Sequence, residues 1–343
     1  LVGAGAVGAT YGSRLHAPER DQHVAVVCRS NYDAVHANGF HITSPVFGTW
    51  TWRPAAVFAS LEAAAQASAG AGAAAAAPPP RPWDYIIIAT KATTDEAAQA
   101  ALLSALAPLV SDETHLVLMQ NGVGIEQPFR NAFPVVPIIS VVTRISAAQT
   151  AAGVIRHHRW TSLSMGPFMG RAHAPETPPE RNTHMAAVRL AAMLHAGGVP
   201  DATVHDAVEL QQLRWHKLAI NAAFNPLTIL CGGVPSAVMA ADPRMAASVH
   251  AVMDEILGFI PHRFGRRLPA AMKTPEQILR NTRRNPGAKP SMLQDWEAGR
   301  PIELEAIVGA PLREARRWGY PMPRLELIYA MLALQDARRS RAA

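Results

Sequence analysis

The sequence holds only two cysteines, Cys28 and Cys231, among 343 residues, and no C-x-x-C pair. Both sit in apolar stretches, which fits a reducing compartment and two free thiols rather than a disulfide framework. H-E-x-x-H and G-x-S-x-G are absent, and the fourteen histidines show no ligand spacing. Neither a metal site nor a hydrolase-type nucleophile is therefore expected. No apolar run reaches the length of a membrane span, so no membrane segment is expected; with the free cysteines this predicts a soluble, cytoplasmic protein. The sequence also lacks an initial Met. It opens at Leu1, directly on a motif that ordinarily follows a strand, so further residues are expected to precede it and organellar targeting stays open.

The remaining composition, 49% hydrophobic and 17% charged, suits a large core and two domains. A net charge of +6 raises the question of nucleic acid. The basic clusters, at 156–159, 262–267, 280–284 and 338–341, are scattered and carry no recognition motif, so they read as solvated arginine faces and no nucleic-acid partner is expected. Positive charge would still favour a polyanionic cofactor.

Residues 1–8 spell a G-x-G-x-x-G turn running into a helix-compatible stretch. Gly3 would permit the tight turn, Gly5 the close approach of a pyrophosphate to the backbone of Ala6 and Val7, and Gly8 close helix packing. A second strand is expected over 23–28, at βαβ distance. At its end, where an acidic side chain would meet the ribose of NAD, stand Arg29 and Ser30, a cation and a hydroxyl suited to the 2′-phosphate of NADP. Further strands are expected over 83–90 and 115–119, with patchy strand or hairpin structure over 39–58 and a helix over 95–110. Ligands of a doubly wound sheet bind at the carboxyl ends of its strands, and that is where the glycine turn, Arg29, Lys91 and Asn121 fall. Residues 63–82 are almost wholly Ala, Gly, Ser and Pro, and are expected to be a disordered surface insertion without function. Strands over 138–145, 153–158 and 162–165, a Pro-rich connection over 171–184, a helix over 185–195 and a short strand over 202–205 complete the first domain. The expected boundary places a dinucleotide-binding domain at 1–206 and a helical domain at 207–343, with helices around Lys217, over 245–259 and over 302–318.

Within the helical half, Lys217, Asn221 and Asn225 follow one another at i, i+4. Each step turns about 400°, so the three side chains drift only about 40° per step and share a face over roughly 12 Å. An ammonium and two carboxamides on one stripe can grip an oxygen-rich small molecule; a solvated polar face is the alternative. Ser291 stands where it either caps the next helix or meets a ligand. Glu303 follows Pro301 near a helix start, where carboxylates are favoured.

Taken together, Gly3-Ala-Gly-Ala-Val-Gly8, Ala89-Thr-Lys91, Gln120-Asn-Gly122, Lys217-Leu-Ala-Ile-Asn221 with Asn225-Pro-Leu-Thr228, and Ser291-Met-Leu-Gln-Asp295 with Glu303 resemble the 2-dehydropantoate 2-reductase (ketopantoate reductase) family from Leu1 to about Leu334. The glycine motif is shared by many dehydrogenases; the last two motifs are specific. The resemblance implies an α/β fold with an N-terminal Rossmann-type doubly wound sheet, an all-α C-terminal domain, and a site in the cleft between them. It implies NADPH-dependent reduction of ketopantoate to pantoate on the route to pantothenate and coenzyme A. Carried over by position, Lys217 is the general acid, and Asn221, Asn225 and Ser291 bind substrate. Glu303 lies beside the cofactor ribose and the catalytic lysine, and Lys91 and Asn121 line the nicotinamide side. Ala288 replaces an asparagine found in some members, and Glu305 and Val308 replace an Asp and an Asn common in the last motif. These departures leave the reaction type intact and bear on which 2-keto acid is used. The alternatives are a reductase of another branched 2-keto acid and a non-catalytic NADP-binding sensor or scaffold. Oligomeric state, with a homodimer the candidate, lies beyond the sequence.

Overall fold

The computed structural model describes residues 1–69, 82–93, 95–169, 178–287 and 289–342. It divides into two compact units. One comprises Leu1–Lys91, Asp95–Gln120 and Ile125–Leu210; the other comprises Ala92–Thr94, Asn121–Gly124 and Gln211–Ala343.

Among the described residues the first unit is built on nine strands: β1 (Ala25–Val27), β2 (Phe40–Ser44), β3 (Gly48–Trp52), β4 (Ala56–Phe58), β5 (Tyr85–Ile88), β6 (His115–Leu118), β7 (Ile138–Ala151), β8 (Val154–Pro167) and β9 (Ala202–Val204). β5, β6 and β7 run parallel, in the register Tyr85↔His115 and Leu116↔Ile138. β1 pairs parallel with β4, and Val2 joins this pair to β5 through parallel bridges to Val27 and Ile88. β8 lies antiparallel to β7 and takes β2 and β9 as parallel neighbours, with β3 antiparallel at the edge beyond β2. Short apolar runs such as Ile86, Ile87 and Ile88 are buried, as strands covered on both faces require. Tyr11 and Leu15 of the helix Ala6–Leu15 pack with Ile87, Val117 and Ile139 of the sheet and with Leu190 and Leu194 of the helix Pro178–Ala196. Ala9, on the first helix, joins Val26, Phe40, Ile42 and Trp52 in a second cluster. This is the Rossmann-type α/β arrangement expected from the sequence.

Three local expectations are corrected. Residues 63–68, expected to be disordered, belong to the helix Leu61–Ser68. Ser60 caps it by accepting from the Ala63 N–H, and Leu61 and Ala64 bury their side chains. Alanine is the strongest helix former, so a capped helix with two buried anchors holds where composition alone suggested a coil. Residues 70–81 of that stretch lie outside the described residues. The two strands expected over 153–158 and 162–165 are one strand, β8. Trp160 sits at φ 59°, an extra residue where the register steps from Ile145↔Thr161 to Ser146↔Arg159, so the bulge interrupts the alternation without ending the pairing. The helix Pro178–Ala196 begins inside the expected 171–184 connection, its Pro-rich start being compatible with a first turn that needs no N–H partner.

The second unit is helical. Beyond the helix Ala207–Leu230 come Ser236–Ala241, Pro243–Phe264, Pro275–Arg283, Ser291–Glu297, Ala310–Arg317 and Pro323–Ala342. Their boundaries are written in local chemistry. Asp242 accepts from the N–H groups of Arg244 and Met245, and Gly265 ends that helix at φ 63°. Thr274 and Gln277 form a capping box. The single helix expected over 302–318 instead opens with a π-turn, Glu305–Gly309. Among the described residues no helix is long and apolar enough to cross a membrane.

Candidate functional site

In the first unit the glycine turn can be tested position by position. A Cβ on Gly3, at φ 89°, would lie 2.5 Å from the Thr90 nitrogen, and one on Gly8 would lie 2.3 Å from the Gly3 carbonyl oxygen. Both glycines are needed for the protein to pack on itself. Gly5 differs: its Cβ would meet nothing within 4 Å, so the space beside it is open. Gly5 is also the N-cap of the helix Ala6–Leu15 and offers no side chain to the first turn, where Ala6 and Val7 lie half-buried. A helix start with uncapped N–H groups beside an open glycine is the cradle a pyrophosphate requires.

Arg29 and Ser30 are exposed directly after β1, and Lys91 is exposed after β5. Gln120, buried at the end of β6, donates to the Thr90 hydroxyl at 3.2 Å and to the Lys91 carbonyl at 3.3 Å, tying together the turns after two adjacent strands.

In the second unit Lys217, Asn121 and Glu303 are joined. The Lys217 Nζ donates to Asn121 Oδ1 at 2.8 Å, and Asn121 Nδ2 donates to Glu303 Oε2 at 3.4 Å. Glu303, only 8% exposed, also accepts from the Ala92 N–H at 3.3 Å. The Asn121 carboxamide is thus held from both ends, its oxygen toward an ammonium and its nitrogen toward a carboxylate. The backbone around it is equally constrained. Arg214, buried one turn before Lys217, donates to the Gly122 carbonyl at 3.1 Å, and the Val123 N–H donates to the Ala306 carbonyl at 3.3 Å. Gly122 has φ 95°, and a Cβ there would lie 2.4 Å from that same Ala306 oxygen. Ala306 lies in the π-turn Glu305–Gly309, and such turns are met often at functional positions.

Asn221 and Asn225 follow Lys217 on the same helix, Asn221 half-buried and Asn225 4% exposed. Burial of this stripe argues against a plain solvated face, because a buried carboxamide is costly unless it is used. The helix runs on through Pro226, which has no N–H to offer the Ala222 carbonyl one turn earlier. Ser291 is exposed and is the first residue of its helix; the cap is Pro290 and no side chain caps it, so the capping role is overturned. Ala288 lies outside the described residues. Glu305 accepts from the Tyr329 hydroxyl and, at 2.6 Å, from Arg313. Sequence reasoning missed Arg214, since an arginine beside a motif carries no signal of its own, and it gave Gln120, although part of a motif, no role.

Residues 1–170 match the model of the family described as ketopantoate reductase PanE/ApbA, and residues 209–336 match its C-terminal domain. The chain belongs to the ketopantoate reductase family. A crystal structure of 2-dehydropantoate 2-reductase from Methylococcus capsulatus is 31% identical, with 99% of this chain and 96% of that one covered and a TM-score of 0.78. The 2-dehydropantoate 2-reductase of Mesorhizobium japonicum is 28% identical over 97% of this chain and 95% of its own length. A ternary structure of D-mandelate dehydrogenase with NADH and anilino(oxo)acetate shares the fold at 17% identity and a TM-score of 0.73, covering 99% and 98% of the two chains. The ketopantoate reductases among these relatives are oxidoreductases, and their similarity extends over both the N-terminal sheet and the helical C-terminal part of this chain.

Proposed function

We propose that this protein is an NADPH-dependent reductase of a branched 2-keto acid, converting ketopantoate to pantoate for pantothenate and coenzyme A synthesis, with Lys217 as general acid. The observation that carries the reading is the bond from Lys217 Nζ to Asn121 Oδ1 at 2.8 Å, with Asn121 itself held by Glu303. When bound, the nicotinamide supplies the hydride. Negative charge then develops on the ketone oxygen, and an ammonium within hydrogen-bond reach stabilises it and donates the proton. Asn121 fixes where that ammonium points, so little reorganisation is left for the reaction itself. Asn221, Asn225 and Ser291 would orient the keto acid through neutral donors that leave the charge balance to Lys217 and Glu303.

The residues fit the cofactor. Gly3, Gly5, Ala6, Val7 and Gly8 would hold the pyrophosphate on backbone N–H groups. Arg29 and Ser30, exposed at the end of β1 with no acidic side chain at either position, would take the 2′-phosphate. Lys91, Asn121 and Glu303 would stand toward the nicotinamide and its ribose. A reductase of another 2-keto acid is the second reading. It is favoured by Glu305 and Val308, which depart from the family's last motif, and by a D-mandelate dehydrogenase having the same fold, so that fold alone does not select the acid.

The test is the loss of NADPH absorbance with ketopantoate, beside a panel of 2-keto acids and an NADH control. Rapid oxidation with ketopantoate alone is the expected result. Activity confined to another keto acid would keep the mechanism and replace the substrate. Cofactor binding with no turnover across the panel would sink the enzymatic reading and leave a cofactor sensor.

A further inference from the structure

Asn31 is the N-cap of the helix Tyr32–Asn38, a position where asparagine ordinarily turns its side chain onto the helix's own first turn. Here it makes no such bond. Its Nδ2 donates instead to the Ala4 carbonyl at 3.3 Å and to Gln149 Oε1 at 2.9 Å, while its Oδ1 accepts from Gln149 Nε2 at 2.8 Å. The two carboxamides thus form a reciprocal pair between residues 118 apart in sequence. Asn31 is 6% exposed, so every polar atom of its side chain is committed inside the fold. Gln149 stands near the end of β7, just before a register shift between Gln149 and Ala151; a bulge of this kind re-aims side chains.

Three segments meet at this pair. Ala4 is the middle residue of the Gly3–Gly5 turn. Asn31 directly follows Arg29 and Ser30. Gln149 comes from the long hairpin formed by β7 and β8. The geometry points to Asn31 and Gln149 as positioning residues for the dinucleotide: they lock the glycine turn to the loop after β1, so that the pyrophosphate cradle and the 2′-phosphate residues keep a set spacing before the cofactor arrives. The inference rests on the dinucleotide-binding part of the functional reading. A capping role for Asn31 would serve the helix alone; the side chain gives that up in favour of a carbonyl in the cofactor turn, and this choice carries the argument.

The test is direct titration of the full chain with NADPH and with NADH, followed by nucleotide fluorescence and needing no substrate. Gln149→Ala removes both bonds of the pair and leaves Asn31 on Ala4; about a ten-fold rise in Kd is expected for both nucleotides, since the turn serves what they share. Asn31→Asp keeps the bond from Gln149, loses the donor to Ala4 and places a carboxylate beside the pyrophosphate cradle, so its Kd should rise further. For Gln149→Ala, kcat at saturating NADPH should stay within about two-fold and the thermal midpoint without nucleotide should hold, which separates positioning from a structural role. Unchanged Kd values in both variants would overturn the proposal, as would a rise in Kd matched by an equal fall in kcat. Should the unmodified chain bind neither nucleotide, the functional reading itself fails. If Asn31→Asp does not fold, Gln149→Ala at its exposed position decides the matter.

Discussion

If Asn121 acts by aiming Lys217, the two residues must be energetically coupled, and a double-mutant cycle measures it. Removing the acid with Lys217→Ala should lower the rate of the chemical step by about 10²–10⁴. Asn121→Ala leaves the ammonium in place but deletes its 2.8 Å bond, a hydrogen bond to a charged group. Such bonds are worth about 1.5–3 kcal/mol, which corresponds to roughly 10–160-fold in rate. Once Lys217 is absent, Asn121 has nothing to aim. The double variant should therefore be no slower than Lys217→Ala, and the coupling energy should equal nearly the whole effect of Asn121→Ala. The assay is single-turnover NADPH oxidation by stopped flow, with nucleotide affinity measured separately. A double variant slower than Lys217→Ala by a further factor of that size would show independent action, as expected if Asn121 serves the nicotinamide alone and not the lysine as well. That result would refute the reasoning from the hydrogen-bond chain.

The remaining predictions concern the two units separately. Gly5→Ala should leave the thermal midpoint without nucleotide unchanged, because its Cβ meets nothing within 4 Å, yet abolish nucleotide binding; Gly8→Ala should lower the midpoint itself, with 2.3 Å to the Gly3 carbonyl. Scanning calorimetry with and without NADPH separates the two. Glu255, 8% exposed, accepts from the N–H groups of Arg324 at 3.0 Å and Leu325 at 3.1 Å and so caps the last helix from another element. Glu255→Ala should cost about 3 kcal/mol, counting roughly 1.5 kcal/mol for each bond to the carboxylate, or about 6–12 °C in midpoint; a shift under about 2 °C would mean water replaces the cap at little cost. His250 bonds Asp254 at 2.8 Å and Glu276 at 2.6 Å. The Glu276 bond is the main cause that raises the His250 pKa above 6.5, while bonds from Thr274 and His250 hold Glu276 down at about 2 against an ordinary 4.5. The histidine's contribution is full below 6.5 and is lost as pH rises through its raised pKa; the glutamate's is full above 4.5 and is lost as pH falls toward 2. Wild type minus His250→Gln in denaturant midpoint should therefore be largest between about pH 4.5 and 6.5, and a difference flat from pH 4 to 9 would exclude the pairing.

Much of the fold was legible because apolar runs at β5 and β6 and the glycine turn announce themselves locally. What escaped was what depends on partners elsewhere. Residues 63–68 look like filler, yet Ser60 caps them and Leu61 and Ala64 find a core. Alternation failed at Trp160 because a bulge adds one residue and flips the face. The site divides in the same way. Lys217, Asn121 and Glu303 each stand out by residue type and motif, but their chain of bonds spans separations of 96 and 182 residues, which no local pattern encodes. At Ser291 residue type left a cap and a ligand contact open, and the backbone placed the cap one residue earlier, at Pro290.

The division of the chain gives these bonds a consequence. Asn121–Gly124 follows a strand of the first unit, and Ala92–Thr94 follows another, yet both group with the helical unit. The reason is physical: Gly122 has no room for a Cβ against Ala306, Arg214 holds its carbonyl, and Glu303 takes the Ala92 N–H. Lys217, the proposed acid, therefore forms one preorganised set with the Asn121 carboxamide and the Glu303 carboxylate inside a single unit. Preorganisation of this kind is what lets charge stabilisation act without reorganising at the moment of reaction. It also separates two kinds of damage. Substitutions at Gly5, Arg29 or Asn31 should act on nucleotide affinity and leave the proton donor intact, whereas Gly122→Ala, which must push the loop off Ala306, should slow the chemical step while nucleotide affinity at the glycine turn survives. If Gly122→Ala instead lowers affinity and spares the chemical step, the loop serves cofactor binding alone and Asn121 does not aim Lys217.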